Sequence, residues 1–142
     1  MAFAIIDTNV FIDYWLGKVS DTDLAEIRRR FVVRQSAVVL SELWRGARDK
    51  RAQRLVTELR DLTTVAWAPT TADWWTAGEL VRTIGDAQGW ETGKRREFQN
   101  DALIALTARH HGATVITTNA GDFELLARQI RPLQIQHLAL HA

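Results

Sequence analysis

The sequence predicts an α/β fold, a three-layer α/β/α sandwich around a mainly parallel sheet, and three observations predict it. Ala2–Ile6 and Ala113–Thr117 are short runs without a charge, and the second is β-branched, the pattern of strands buried on both faces of a parallel sheet. Strand signals alternate with helical ones along the chain, the order expected when helices cover both faces of a sheet through right-handed crossovers. Between these strands, Ala102–Ala108 is apolar on nearly every face of a helix, which a soluble chain of 142 residues tolerates only where neighbours surround that helix completely.

Taken in order, Ala2–Ile6 is the first strand and ends in Asp7. Thr8 and Asn9 open a helix over Val10–Leu16, closed by Gly17. An acid at the carboxyl end of a buried strand lies where open α/β sheets place their ligands; the plainer explanation is a helix N-cap, but Thr8 or Asn9 could fill that role equally well, which favours the ligand-site reading of Asp7. Asp13, one turn on, reads as solvated surface. Ser20–Arg30 is a polar-faced helix with Leu24 and Ile27 facing in, and Phe31–Gln35 is the second strand. Ser36 caps a helix over Ala37–Ala47, in which Glu42 has apolar neighbours that make a lone carboxylate costly. Pairing with Arg45 at i+3 is the plainer explanation of Glu42, worth a few tenths of a kcal/mol.

Asp49–Leu62 is a charged amphipathic helix, and Thr63–Ala68 is a third strand ended by Pro69. Thr70 or Thr71 caps a helix to about Gln88, whose Trp74 and Trp75 suit the core or a subunit contact better than stacking on RNA bases. Gly89–Gln99 holds Lys94, Arg95 and Arg96 just before the central helix, which is expected to start at Asp101. These three could bind phosphates or simply be solvated. Gly112 ends the central helix in a left-handed conformation, Ala113–Thr117 follows as a buried strand, and Asn119–Phe123 opens another helix with Asp122 at the strand-to-helix junction. Pro132 precedes an alternating edge strand, Leu133–Leu138. His110 and His111 close the central helix, where its dipole suits a partly charged imidazole, so they are not read as metal ligands.

Length predicts a single domain over residues 1–142, able to bury roughly two thirds of the surface its unfolded chain exposes. There is no cysteine, which excludes disulfides and thiolate zinc sites. No secretory h-region or long apolar run is present, and the expectation is a soluble cytoplasmic protein without a membrane partner. Eighteen basic residues against seventeen acidic ones give a net charge of +1, which by itself names no partner.

In such a sheet Asp7, Asp101 and Asp122 fall at strand ends and helix starts that can converge on one crevice, with Glu42 reaching it from the side. No lysine or arginine adjoins Asp101 or Asp122 in sequence. Two unit charges about 4 Å apart repel by roughly 4 kcal/mol at an effective dielectric of 20, so several such pairs would exceed the net stability of one domain. A bound divalent cation is the natural remedy. All-oxygen ligands favour magnesium or manganese over zinc, with open positions for water and a phosphate oxygen. Two other ways of using acids at strand ends fail here. A phosphoryl-accepting receiver domain needs an aspartate after its third strand and a lysine after its fifth, and a dinucleotide-binding domain needs a G-x-G-x-x-G after its first.

Four segments carry a resemblance: AIIDTNVFID at Ala4–Asp13, VVLSELWRGA at Val38–Ala47, NDALIALTA at Asn100–Ala108 and VITTNAGDFELL at Val115–Leu126. Together they resemble the PIN-domain ribonucleases, in particular the toxin subunits of VapBC toxin–antitoxin pairs, over nearly the whole chain. The resemblance implies a metal-dependent endoribonuclease, using Mg²⁺ or Mn²⁺ and silenced by a cognate antitoxin that covers the acidic cleft. It maps the family's acids onto Asp7, Glu42, Asp101 and Asp122, with Thr8, Asn9, Thr117 and Asn119 as polar neighbours of the metal. It also implies a homodimer and an RNA substrate, for which Lys94, Arg95 and Arg96 are the candidate phosphate contacts. The alternative is a catalytically silent PIN-like module that binds RNA or protein, against which the retention of all four acids speaks. The Trp-rich helix and the basic segment are the regions the resemblance leaves unplaced.

Overall fold

The structure, a computed structural model, describes residues 1–141. Its strands are β1 (Phe3–Ile6), β2 (Val32–Val33), β3 (Gln35–Ser36), β4 (Ala66–Trp67), β5 (Thr114–Thr117) and β6 (Gln134–His137). The helices are α1 (Thr8–Trp15), α2 (Asp21–Arg30), α3 (Ala37–Gly46), α4 (Lys50–Leu62), α5 (Thr71–Gln88), α6 (Thr92–His110) and α7 (Ala120–Gln129). Four strands form one sheet in the order β2-β1-β5-β6, and every pairing among the described residues is parallel, so the sandwich expected from the sequence is the observed one.

β1 and β5 take the centre because they alone are apolar enough to be covered on both faces. Ala4, Ile5, Ile6, Val115 and Ile116 are almost fully buried, whereas β6, at the sheet edge, is exposed at both ends and only partly buried between them. The register Ala4↔Thr114, Ile5↔Val115, Ile6↔Ile116 places the carboxyl ends of both strands side by side. The Asp7 N–H donates to Ile116 O at 2.9 Å, which continues that pairing to the crevice beyond the strand ends.

The apolar half of α6 is buried throughout, from Ala102 to Ala108, as a central helix must be. Its start differs from expectation. The helix begins at Thr92, so Lys94, Arg95, Arg96 and Asp101 all lie inside it and Asp101 is not at a helix start. Packing overrides the local signal: Phe98 is fully buried with its ring 4.7 Å from that of Trp90, and Arg95 ties α6 to α5 through Asp86 and the Trp90 carbonyl. Gly89 is the left-handed C-cap of α5, and Gly112 turns the chain with φ 64° into β5.

The second strand is also split. Val32 and Val33 pair with β1, but the polar residues that follow offer no apolar face to the sheet, and Gln35–Ser36 leaves it to pair with Ala66–Trp67 as a separate two-stranded ribbon. The third strand thus shrinks to two residues outside the main sheet. Trp67 is anchored there, its ring edge-on to Phe3 at 5.4 Å and stacked on His111 at 3.9 Å and 7°. Burial and then His110 lower the His111 pKa, which goes against the partly charged reading of that residue. Trp74 and Trp75 stay outside the core, 52% and 74% exposed.

Candidate active site

The carboxyl ends of β1 and β5 form the floor of a cleft. Asp7 is the residue after β1 and the N-cap of α1, so it stands at the carboxyl end of a buried strand and caps a helix at once. Its Oδ1 accepts the Thr8 N–H at 2.8 Å and its Oδ2 accepts the Thr117 hydroxyl at 2.9 Å. Thr117, the last residue of β5, in turn accepts the Asn119 N–H at 3.0 Å and so fixes the turn into α7. Asp7 is only 2% exposed, and burial raises its pKa to about 6 against the pull of its two donors, with Glu42 and Asp122 adding repulsion.

Asp101 projects from the middle of α6 into the same place. Burial first, then the charges of Asp7, Asp122 and Glu42, hold its pKa far above the carboxylate range, and it lies within hydrogen-bonding reach of Asp122. Asp122 stands in the first turn of α7, where the helix dipole favours an anion. Glu42 comes from α3: its Oε1 accepts the Thr8 hydroxyl at 2.8 Å and its Oε2 the Asn100 amide at 3.3 Å. Among the described residues Glu42 has no ion pair with Arg45, so the surface-pair explanation fails.

Glu42, Asp101 and Asp122 line a polar cavity of about 340 Å³ together with Thr8, Asn9 and Asn119, and Asp7 lies at its base. Six of the eight residues that the resemblance mapped to the metal site and its surroundings line this cavity, and the other two, Asp7 and Thr117, are hydrogen-bonded to each other and joined to it through Thr8 and Asn119. The basic segment divides. Lys94 lines the cleft, with its ammonium 2.6 Å from Asp122 Oδ2, so the fold supplies from 28 residues away the basic partner that the acid lacks in sequence. Arg95 is committed to α5, its guanidinium packed against Gly85, and Arg96 is exposed.

Four cleft residues were not assigned to the site from sequence: Asn100, Glu97, Arg45 and, as the partner of Asp122, Lys94. Lys94, Glu97 and Asp101 follow the i, i+3, i+7 stripe of one helix face, a signal hidden by placing the helix start nine residues too late, at Asp101 and not Thr92. Asp13, expected to be solvated, accepts the Thr118 hydroxyl at 2.7 Å and braces the turn after β5.

The donor set is wholly oxygen, the chemistry of a hard divalent cation. The raised pKa values of Asp7 and Asp101 are the observation that fits such a cation to these residues, since the crowded charges are relieved either by protons or by positive charge. Among the described residues no three acidic or imidazole groups already stand as a metal cage. Two positive side chains line the cleft, Lys94, whose ammonium is paired with Asp122, and Arg45.

The PIN domain family profile matches residues 4–129. No curated protein matches the chain. Among solved structures, VapBC-1 from nontypeable Haemophilus influenzae aligns with a TM-score of 0.68 and 24% identity, covering 95% of this chain and 97% of that one. VapBC2 from Rickettsia felis, bound to a DNA fragment from its promoter, aligns with a TM-score of 0.66 and 23% identity over 96% and 98% of the two chains. VapBC-5 from Mycobacterium tuberculosis aligns with a TM-score of 0.60 and 20% identity over 97% and 100%. With the profile match covering most of its length, the chain belongs to the PIN domain family.

Proposed function

We propose that this chain is a single-domain endoribonuclease dependent on Mg²⁺ or Mn²⁺, the cytoplasmic toxin of a type II toxin–antitoxin pair. The observation that carries this reading is the convergence of Asp7, Glu42, Asp101 and Asp122 on one cleft at the carboxyl ends of β1 and β5. Membership of the PIN domain family and the fold shared with VapBC proteins support it.

Asp7 and Asp101 would hold the cation directly, and Glu42 and Asp122 would complete the site or hold waters around it. When bound, the cation supplies a lowered pKa for water and neutralises charge on the scissile phosphate. The chain's own part is positioning. Thr8 and Thr117 fix the Asp7 carboxylate, Thr8 and Asn100 fix Glu42, and Asn9 and Asn119 line the mouth of the cleft. Arg45, which also lines it, is placed to meet a phosphate.

Two surfaces border the cleft. An apolar groove of about 240 Å³ between α1, α3 and α4, with Trp15, Leu43 and Val56 in its walls, shares Ile12 and Glu42 with it. An antitoxin segment laid in that groove would run into the acids and cover them. On another side, the exposed Trp74 lines a groove that shares Glu42 and Arg45 with the cleft, and this is the surface we assign to a homodimer contact.

Incubation of single-stranded RNA with the purified protein tests the reading. Cleavage that needs Mg²⁺ or Mn²⁺, stops with EDTA and is lost in a folded Asp101→Asn variant is the expected result. Metal-independent cleavage refutes the metal dependence, and no cleavage across a broad set of transfer, ribosomal and messenger RNA refutes the nuclease and leaves the binding-module alternative.

A further inference from the structure

Lys94 stands in the cleft as the acids' own cation. Its ammonium is 2.6 Å from Asp122 Oδ2, with side-chain exposures of 33% for the lysine and 17% for the acid, so the pair is largely withdrawn from water. In the same position the ammonium lies 5.0 Å from the centre of the Trp90 ring, a cation–π partner that does not depend on Asp122. Its neighbour Arg95 is fixed elsewhere, to Asp86 and the Trp90 carbonyl.

We propose that Lys94 is an exchangeable internal counter-ion: it neutralises Asp122 in the metal-free protein, leaves when a divalent cation enters, and is then free to bind a phosphate of the substrate. The proposal rests on the metal reading given above and adds to it a competition and its consequence. A dication among Asp7, Asp101 and Asp122 repels a nearby ammonium, and a lysine on a flexible stem yields more readily than a carboxylate built into a helix start. The exchange weakens metal binding by the free protein. RNA recovers that loss by giving the displaced ammonium a new partner, so metal and RNA each raise the other's affinity, as linkage requires.

The chain has three lysines, Lys18, Lys50 and Lys94, which makes acylation footprinting of the unaltered protein a direct test. Mn²⁺ should raise the acylation rate of Lys94 several-fold and leave Lys18 and Lys50 as internal controls. Calorimetric titration supplies the second readout. Lys94→Gln should bind Mn²⁺ about 10-fold more tightly than the wild type, within the usual range of coupling between sites. Lys94→Arg should restore weaker binding, and the metal-free melting temperature of Lys94→Gln should fall by several degrees. Mn²⁺ binding that leaves Lys94 reactivity unchanged, or binding by folded Lys94→Gln that is unchanged or weaker, overturns the exchange while the metal reading stands. Absence of Mn²⁺ binding by both proteins overturns the metal reading, and the exchange with it.

Discussion

The floor and the rim of the cleft are built in different ways. On the floor, Asp7 is buried, continues the central strand pair and is held by Thr8 and Thr117, and Asp101 projects from the most enclosed helix of the molecule. On the rim, Glu42 and Asp122 are partly exposed and take their partners, Thr8, Asn100 and Lys94, from other elements. The fold itself fixes the floor, and burial makes its negative charge costly. Side-chain contacts that a ligand can exchange fix the rim. Charge is therefore conserved at the bottom of the cleft only with an external or internal cation, while the rim decides how readily that cation comes and goes.

The sharpest way to break this comparison is to neutralise the floor. Asp101→Asn should lower RNA cleavage by more than about 100-fold, since even groups that merely support a metal ligand cost 10- to 100-fold when removed. Asp7→Asn should do the same, and both variants should be at least as stable as the wild type without metal, because the repulsion is relieved. Cleavage near the wild-type rate in a folded variant would remove that residue from the chemistry. Loss of stability in Asp7→Asn would reduce Asp7 to a cap on α1.

A second consequence concerns pH. With its folded pKa near 6 against 3.8 unfolded, Asp7 carries no penalty below about pH 4 and its full penalty above pH 6. The metal-free protein should therefore lose stability as pH rises across that window, by about 3 kcal/mol from Asp7 alone, at roughly 1.4 kcal/mol per unit. Asp101 adds a loss of the same sign that continues to higher pH. Saturating Mn²⁺ should flatten the profile. Urea unfolding at several pH values checks both, and metal-free stability that instead rises between pH 4 and 6 would contradict the raised pKa values.

Sequence reasoning reached the floor more completely than the rim, for a physical reason. The strands around Asp7 and Thr117 are uncharged runs with no competing local signal, and they alone fit the centre of a parallel sheet. The Lys94–Asp122 contact spans 28 residues and depends on where α6 begins. That start is set by Phe98 packing on Trp90, whereas Gly89 and Gly93 argue locally for a loop. For the same reason Glu97 and Asn100 went unassigned. The break of the second strand into β2 and β3 was hidden too, because pairing partners of two residues leave no periodicity to read.

Perturbing the rim should give smaller effects. Glu42→Gln, which keeps the shape but not the charge, should cost about 10- to 100-fold in cleavage and little in stability, measured by initial rates and thermal melts. An effect as large as that of Asp101→Asn would erase the distinction between floor and rim. Smaller still is the contribution of the remaining basic residues. Once a metal neutralises the four acids, 18 basic residues face the 13 acids that remain. Arg96→Ala should reduce the salt dependence of RNA affinity, measured in Ca²⁺, by about one unit of slope, as expected for one phosphate contact. Arg95→Ala should leave the slope unchanged and lower the melting temperature, since its partners are Asp86 and the Trp90 carbonyl. A reversed pattern would transfer the phosphate contact from Arg96 to Arg95.

The most direct test of the whole account is an anomalous difference map from crystals grown with Mn²⁺. A manganese peak should appear within bonding distance of Asp7 and Asp101, with the Lys94 ammonium moved off Asp122. Crystals soaked to saturation that show no peak at these carboxylates, or a peak that leaves Asp7 and Asp101 untouched, would contradict it.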